Sequence, residues 1–406
     1  MRYSLGLVKQ RIKARHFGRS SGFEWRSSSL LNLLEQYRGL ECTDDRDRVY
    51  ALLGLPSIDR NMPLPEPDYS KSVVEIYCEA VKPTIRYTTD LTVLCLPRRH
   101  GTMNDSKFKH KIPFWVPDWI FSEDGDSYWF EEEGEGDEIK SYQTFYAAGE
   151  TLPNGPDFDI IEETQTSLPT RKRPGKPASG IMTMIDGGLS NGLIHRPRDI
   201  RGFSDPIQLL DLNGYIIDSP RIISDPIPES AFIEDSWKEH ILKWEKMIYR
   251  FETYTIVDGK VTPYDPGFRY PQLGNFIQTI SRGKLLKSLT TENENLMEIY
   301  CEHYLIWTKR ITSEEARVPI QPKLLASFFE DMLKKNFRGW KFAITQEQRL
   351  TSIPTITTQK DWIAILLGCD YPLIVTHTGQ MKHGGESRDM FIIVGPAFEK
   401  VRFLFF

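Results

Sequence analysis

The chain has 406 residues, with 51 Lys and Arg against 56 Asp and Glu, a net charge of −5 and 40% hydrophobic residues. That length accommodates two or three domains and buries most of the unfolded surface without covalent staples. The negative balance lacks the whole-chain electrostatic footprint that binding to a phosphate backbone requires, so no nucleic-acid partner is expected. Five well-separated cysteines, Cys42, Cys78, Cys95, Cys301 and Cys369, never form a C-x-x-C pair, which fits neither a disulfide framework nor a zinc knuckle and points to a reducing compartment. The longest apolar run, Trp362 to Leu367, is six residues, against about 20 needed to cross a bilayer.

Residues 1 to 23 carry six Lys or Arg and no acid, without the amphipathic stripe of a presequence, and read as a solvated basic segment. From Ser27 the spacing of Leu30, Leu33, Leu34 and Tyr37 predicts a short helix that breaks at Gly39. The segment Thr43 to Leu55 predicts a second helix, with Asp44, Asp45 and Asp47 in its first turn and Val49, Leu52 and Leu53 on its apolar face. Gly54 is expected in the left-handed conformation at its end, before Pro56. Val73, Ile76, Tyr77, Ala80 and Val81 mark a third helix ended by Pro83. Residues 91 to 96 read as a strand, and Ile112 to Trp119 as an extended aromatic segment kept out of a central sheet position by Pro113 and Pro117.

Glu131 to Glu138 holds six acids in eight residues, and the Pro-, Thr- and Gly-rich stretch that follows reads as a mobile linker over 123–180. Short strands are predicted at Ile181 to Ile185, Ile207 to Leu212 and Tyr215 to Ile217. A long helix follows, with Ile233, Trp237, Ile241, Trp244, Ile248 and Phe251 on one face. Two further helices are predicted, one after the capping-box spacing of Thr291 and Glu294 and carrying Leu296, Ile299, Tyr300, His303 and Trp307, the other carrying Leu325, Phe328, Phe329 and Met332. From Trp340 the period drops toward two, in short runs at Trp362 to Leu367, Leu373 to Val375 and Met390 to Val394. The expected fold is therefore α+β: helical segments with short strands, an acidic and Pro-rich linker, a mainly helical middle at 181–338 and a β-rich module at 339–406.

Gly188, Ser190 and Gly192 satisfy G-x-S-x-G, the turn that exposes a nucleophilic serine, but Pro197 argues against the helix that must follow, so a glycine-rich turn is expected. Asp45 and Asp47 spell D-x-D. On a helix their side chains point about 200° apart, which favours interaction with the helix dipole over cation binding. His377 and His383 flank glycines in an expected hairpin tip, without an acid or cysteine at ligand spacing. His303 lies on an apolar helix face and reads as a core residue. Arg171, Lys172, Arg173 and Lys176 form a short basic run that is commonplace in a linker. No P-loop, dinucleotide fingerprint or H-E-x-x-H occurs. No cofactor and no metal are implied.

The order of motifs carries more information than any one of them. Leu33-Leu34-Glu35-x-x-Arg38 precedes Thr43-Asp44-Asp45-Arg46-Asp47-Arg48-Val49-Tyr50-Ala51-Leu52-Leu53-Gly54-Leu55. Next come Pro67-Asp68-Tyr69-Ser70-Lys71-Ser72-Val73 with Tyr77, and then Pro113-Phe114-Trp115-Val116-Pro117-Asp118-Trp119. This series resembles the closing part of the fungal heterokaryon incompatibility (HET) domain. Tyr146 to Gly149 and the segment from Asp361 to Pro372, which includes Gly368, are similar to the long tail region of that family. The resemblance is dense over 27–119 and thin over 180–340. It departs from the family pattern in having no sheet-forming A-L-S-Y-x-W-G-like block ahead of it, so 1–122 reads as the carboxy-terminal part of such a domain.

The resemblance implies a cytoplasmic component of non-self recognition, acting in programmed cell death through a protein partner such as another incompatibility protein. The residues it singles out are Arg46, Asp47, Tyr50, Gly54, Asp68, Tyr69, Trp115, Pro117, Asp118, Trp119, Gly368 and Pro372. For these the residue chemistry alone suggests packing and anchoring. No catalytic residue carries over. A TIR-like NAD hydrolase, a serine hydrolase using Ser190 and an inactive truncated paralogue remain open as alternatives.

Overall fold

The computed structural model describes residues 30–37, 42–55, 63–83, 85, 91–95, 112–113, 115–120, 180–185, 188–190, 193–195, 209–248, 255–257, 260–262, 271–282, 296–316, 330, 333–334, 337, 339–369, 371–383 and 386–399. The architecture is α+β with a β-rich carboxy-terminal region. The acidic and Pro-rich stretch, the basic run at 171–176 and the helix expected around Leu325 to Phe329 lie outside the described residues.

Three short helices open the described chain: α1 (Leu30–Gln36), α2 (Asp47–Leu53) and α3 (Val73–Pro83). Each turns its predicted apolar stripe inward, and Leu33, Leu34, Val49, Leu52, Ile76, Tyr77 and Val81 are all buried. Helix α3 starts on a reciprocal cap. The Ser72 N–H donates to Glu75 Oε2 at 2.7 Å while the Glu75 N–H donates back to Ser72 Oγ at 3.2 Å.

Downstream, β1 (Gly180–Ile185), β4 (Leu209–Asp218), β10 (Trp362–Leu366), β11 (Leu373–His383) and β12 (Glu386–Pro396) close into a barrel in the order β1-β12-β11-β10-β4. Only the β1–β12 contact is parallel, and it joins Thr183 to Met390 and Met184 to Phe391. The hairpin β2 (Gly188–Ser190) and β3 (Leu193–His195) stands between β1 and β4 in sequence, and a second hairpin pairs β6 (Thr255–Val257) with β7 (Lys260–Thr262).

A second sheet has the order β13-β9-β8-β5, from β5 (Pro220–Ile223), β8 (Trp340–Thr345), β9 (Leu350–Pro354) and β13 (Phe398–Glu399). Its two ends are continuations of barrel strands. Strand β4 passes through Ser219 into β5, and β12 passes through Ala397 into β13, so the two sheets cannot separate without breaking a strand. Alternation then sorts the side chains. Ala343 and Ile353 meet Ile363, Ile374 and Val394 from the barrel wall, whereas Phe342, Ile344 and Leu350 face α5 (Trp237–Ile248), α6 (Pro271–Ile280) and α7 (Leu296–Trp307). Within that helical layer the buried Glu245 accepts from Arg310 at 2.6 and 2.5 Å and from the Tyr304 hydroxyl at 2.8 Å.

The barrel interior, with Met182, Met184, Leu212, Ile216, Leu366, Val375, Phe391 and Ile393, is continuous with the core of α1 to α3. The molecule is thus layered as helices, barrel, sheet and helices.

Several expectations change. Residues 92–95 form a 3₁₀ turn where a strand was expected, because Leu91 makes one backbone bond to Gly368 and Val93, Leu94 and Cys95 are buried instead of extending a ladder. The two strands expected at 207–212 and 215–217 are the single strand β4, which runs straight through Gly214. A Cβ there would lie 2.7 Å from Leu366 Cδ2, 2.8 Å from Met182 Sδ and 2.9 Å from the Ile365 carbonyl oxygen, so this glycine serves close approach and not a turn. The long helix expected from Ile233 is two helices, α4 (Glu229–Ile233) and α5. Asp235 between them has φ 57° and accepts from Trp237 Nε1 at 3.0 Å. Ile233 is accordingly 80% exposed and leaves the stripe, and Phe251 lies outside the described residues. Helix α6 carries no expectation from the sequence.

Candidate functional site

The polar residues of the first two motifs converge on one cluster between α2 and the start of α3. Helix α2 begins at Asp47, later than its sequence suggests, because residues 44–46 form a preceding turn. The cause is local. Asp44 accepts from the Arg46 backbone N–H at 3.0 Å and from Arg46 Nε and Nη2 at 3.0 and 2.7 Å, which fixes a turn before the helix can start. Only Asp47 of the three acids lies in the first helical turn.

Freed from the helix, Arg46 reaches across to the second motif. Its Nη1 donates to the Tyr69 carbonyl oxygen at 2.5 Å and to that of Lys71 at 3.0 Å, and its guanidinium stands 5.2 Å over the Tyr69 ring. The Tyr69 hydroxyl returns the contact by donating to Asp47 Oδ1 at 2.6 Å. Tyr50, one turn along α2, both donates to the Asp68 carbonyl and accepts from the Asp68 N–H at 2.9 Å, and its ring meets Tyr69 edge-on at 5.3 Å. Asp68 in turn accepts from the Ser70 N–H and hydroxyl at 2.8 and 2.7 Å. Lys71 pairs with Glu79 at 2.7 Å.

The third motif completes the seat from below. Trp115, Val116, Pro117 and Trp119 are buried, Trp119 meets Tyr77 edge-on at 5.0 Å, and Asp118 Oδ1 accepts from the Ile120 N–H at 3.0 Å. Tyr77 donates its hydroxyl to the Asp45 carbonyl at 3.2 Å, which ties α3 to the turn before α2.

Ionisation follows these contacts. The hydrogen bond to the Asp47 carboxylate raises the Tyr69 phenol, and burial pushes the Tyr77 phenol up further. The Ser70 hydrogen bonds hold Asp68 below the usual carboxylate range, the bond from Ser72 does the same for Glu75, and Glu79 raises Lys71. Asp68 and Glu75 are therefore held in their charged forms by neighbouring serines and Lys71 by Glu79, while the Tyr69 and Tyr77 phenols are held neutral.

Such an arrangement clamps one segment to another. Its outward parts are Tyr69, 56% exposed, and the partly exposed Asp44 and Arg46. Gly54 does not adopt the left-handed conformation expected of it. Its φ is −83°, its ψ is −1°, and a Cβ would meet nothing within 4 Å.

The tail motif lies elsewhere, where the barrel meets the helices. Gly368 has φ 84°, and its carbonyl oxygen accepts from the Leu91 N–H at 2.8 Å. Pro372 is buried, and its carbonyl oxygen accepts from the Ala397 N–H at 2.7 Å, at the point where β12 passes into the second sheet.

The remaining candidates separate. Ser190 sits in the β2–β3 hairpin opposite Leu193, so among the described residues the next element is a strand and not the helix of a nucleophile turn. Asp45 lies 3.6 Å from Arg48 Nε while Asp47 holds Tyr69, so the D-x-D carboxylates serve different partners. Among the described residues no three His, Cys, Asp or Glu side chains gather as a metal site. His303 is a core residue as expected, with Nδ1 2.7 Å from the Ile299 carbonyl oxygen and its ionisation lowered by burial.

His377 is not at a hairpin tip. It lies within β11 with a side chain 6% exposed, and its Nε2 is 3.0 Å from Asp389 Oδ1 on β12. Asp389 was overlooked in the sequence. Asp389 lies opposite Gln380 in the ladder and His377 opposite Phe391, with a register shift between His377 and Gly379, so the Gly384-Gly385 pair signalled a hairpin but not this diagonal partner.

No protein-family model matches the chain, no curated protein matches it, and no solved structure matches its fold. Among the described residues, no helix is long and apolar enough to cross a membrane.

Proposed function

We propose that the chain is an interaction or regulatory component of non-self recognition of the fungal heterokaryon incompatibility type, acting in the cytoplasm through a protein partner of the same kind. One observation carries the reading. Three motifs that resemble the HET domain only as separate strings converge on a single seat, in which Arg46 and Asp47 grip Tyr69, Tyr50 grips Asp68 and Trp119 packs on Tyr77. Strings matched by accident have no reason to meet. The seat consumes its charges in holding two segments together, which supports recognition by shape and by the exposed Tyr69 edge and gives no support to hydrolysis.

The test is co-expression in a fungal host with an intact HET-domain protein placed under graded induction. The chain should shift the induction level at which the partner arrests growth, and Tyr69→Ala, at equal protein level, should remove the shift. An unchanged threshold across HET partners, with folded chain present, would sink the proposal. Growth arrest by the chain alone, with accompanying NAD loss, would replace it with an enzymatic reading.

A further inference from the structure

Two thiols separated by 274 positions face one another across the seam between the helical layer and the barrel. Cys95 ends the 3₁₀ turn Thr92–Cys95, and Cys369 follows the left-handed Gly368 that closes β10. Their sulfurs are 3.4 Å apart, and both residues are 1% exposed. Backbone contacts hold them there. The Leu91 N–H donates to the Gly368 carbonyl at 2.8 Å, the Leu94 N–H donates to the Leu91 carbonyl at 2.8 Å, and the Cys369 thiol lies 3.8 Å from that same Leu91 oxygen.

Sulfurs in van der Waals contact need to close by about 1.4 Å to reach the bonded distance, a shift within reach of side-chain torsions when the backbones already face each other. The other cysteines lie in different surroundings. Cys42 is partly exposed beside the acidic turn, with its thiol raised by burial, and Cys301 is buried in α7, where burial raises its thiol strongly.

We propose that Cys95 and Cys369 form a redox modification site, in which hydrogen peroxide joins the two sulfurs in a disulfide that fastens the motif-bearing helices to the barrel. In the first step one thiolate attacks a peroxide oxygen. The O–O bond breaks, hydroxide leaves and is protonated to water, and the cysteine becomes a sulfenic acid. In the second step the other thiolate attacks that sulfur, the S–S bond forms, the S–O bond breaks, and a second water departs. Two thiols thereby give two electrons and two protons to one peroxide.

Both sulfurs are shielded in the closed state, so the reaction proceeds through local opening of the seam and its rate reports that opening. Once formed, the bond closes a loop of more than half the chain and restricts the unfolded ensemble accordingly. The proposal stands on the seam geometry alone and is independent of the incompatibility reading.

The experiment uses the purified full chain in native buffer, treated with hydrogen peroxide, blocked with N-ethylmaleimide and digested without reductant. A Cys95–Cys369 linked peptide should be the main cysteine product, formed within one chain and reversed by a thiol reductant. The oxidised protein should melt higher by on the order of 5 °C. Cys369→Ala should lose both the linked peptide and the rise in melting temperature, whereas Cys301→Ala should keep both. The wild-type peptide map decides the matter even if a variant folds poorly. Recovery of the two residues as separate blocked thiols or sulfinic acids would overturn the proposal. So would linkage to Cys42 or Cys78, or a bond that forms only in denaturant.

Discussion

The clamp between α2 and α3 and the five-stranded barrel are held together by different means. In the clamp, residues 45–50 meet residues 68–77 through directed polar bonds, and the partners lie 18 to 32 positions apart. In the barrel, β1 pairs with β12 some two hundred positions away, and a core of apolar side chains such as Met182, Leu212, Leu366 and Phe391 joins the strands. A polar clamp loses stability one bond at a time when a donor or acceptor is removed. A closed barrel tolerates small losses and fails when two strands are held apart, because closure leaves no edge at which the error can be absorbed. The seam at Leu91, Cys95, Gly368 and Cys369 is where the two regimes meet.

The largest effect should come from forcing the barrel open. A side chain at Gly214 would collide with Leu366, Met182 and the backbone oxygen of Ile365, all within 2.9 Å. A carbonyl fixed in the β4–β10 ladder cannot retreat as a flexible side chain can. Gly214→Val should therefore cost about 3 kcal/mol or more, seen as loss of soluble protein or a large drop in denaturation midpoint. A valine variant as stable as the parent would mean that β4 and β10 do not pair as described.

The clamp should give a smaller and more local response. Tyr50→Phe keeps the ring against Tyr69 but removes the hydroxyl that bridges both backbone groups of Asp68. The expected loss is about 1 to 3 kcal/mol in denaturant unfolding, with hydrogen exchange accelerated at Asp68 to Lys71 and unchanged in β10 to β12. Equal acceleration in both regions would show that the clamp and the barrel unfold as one unit.

Alkaline pH should separate the two regions by charge. Folding raises the Tyr77 phenol by burial and the Tyr69 phenol through Asp47, so the native clamp keeps protons that the unfolded chain has lost. That contribution is fully present below about pH 10 and falls away as the pH climbs above it. For Tyr77 the slope is at most about 1.4 kcal/mol per pH unit. Stability measured from pH 8 to 11 should decline above the phenol range, and Tyr77→Phe should flatten the decline. A flat profile in the parent protein would place Tyr77 in water.

The same contrast explains what could be read from the chain. The stripe Val73, Ile76, Tyr77, Ala80, Val81 announces its helix because the periodicity is complete within eleven residues, and Pro83 marks its end. The run at 362–366 reads as a strand for the same local reason. Barrel closure has no such signal. Nothing local tells that 180–185 will lie parallel to a strand beginning at Glu386, and Gly214 looks like a turn until Met182 and Leu366 are seen on either side of it. The order of the segments around Arg46 and Tyr69 could be read along the chain, whereas their meeting in space and the direction of each hydrogen bond could not. His377 was misplaced because the glycines beyond it suggested a tip, whereas it lies five residues into a strand that begins at Leu373 and continues to His383.

The smallest effect, and the one with the opposite sign, belongs to Gly54. A glycine closing the motif string suggests a left-handed helix end that only glycine supports at low cost, and replacement there would destabilise the protein. The structure has it otherwise. Gly54 sits at φ −83° and ψ −1°, a region open to any residue, and a Cβ would project into empty space. Alanine narrows the unfolded ensemble without straining the folded one, so Gly54→Ala should raise stability by about 0.4 to 1 kcal/mol, a small upward shift in the denaturation midpoint with an unchanged slope. A fall in the midpoint would mean that the end of α2 is left-handed in solution. A rise, accompanied by loss of the shift in growth-arrest threshold during co-expression, would assign the glycine to a surface on which a partner's backbone comes close.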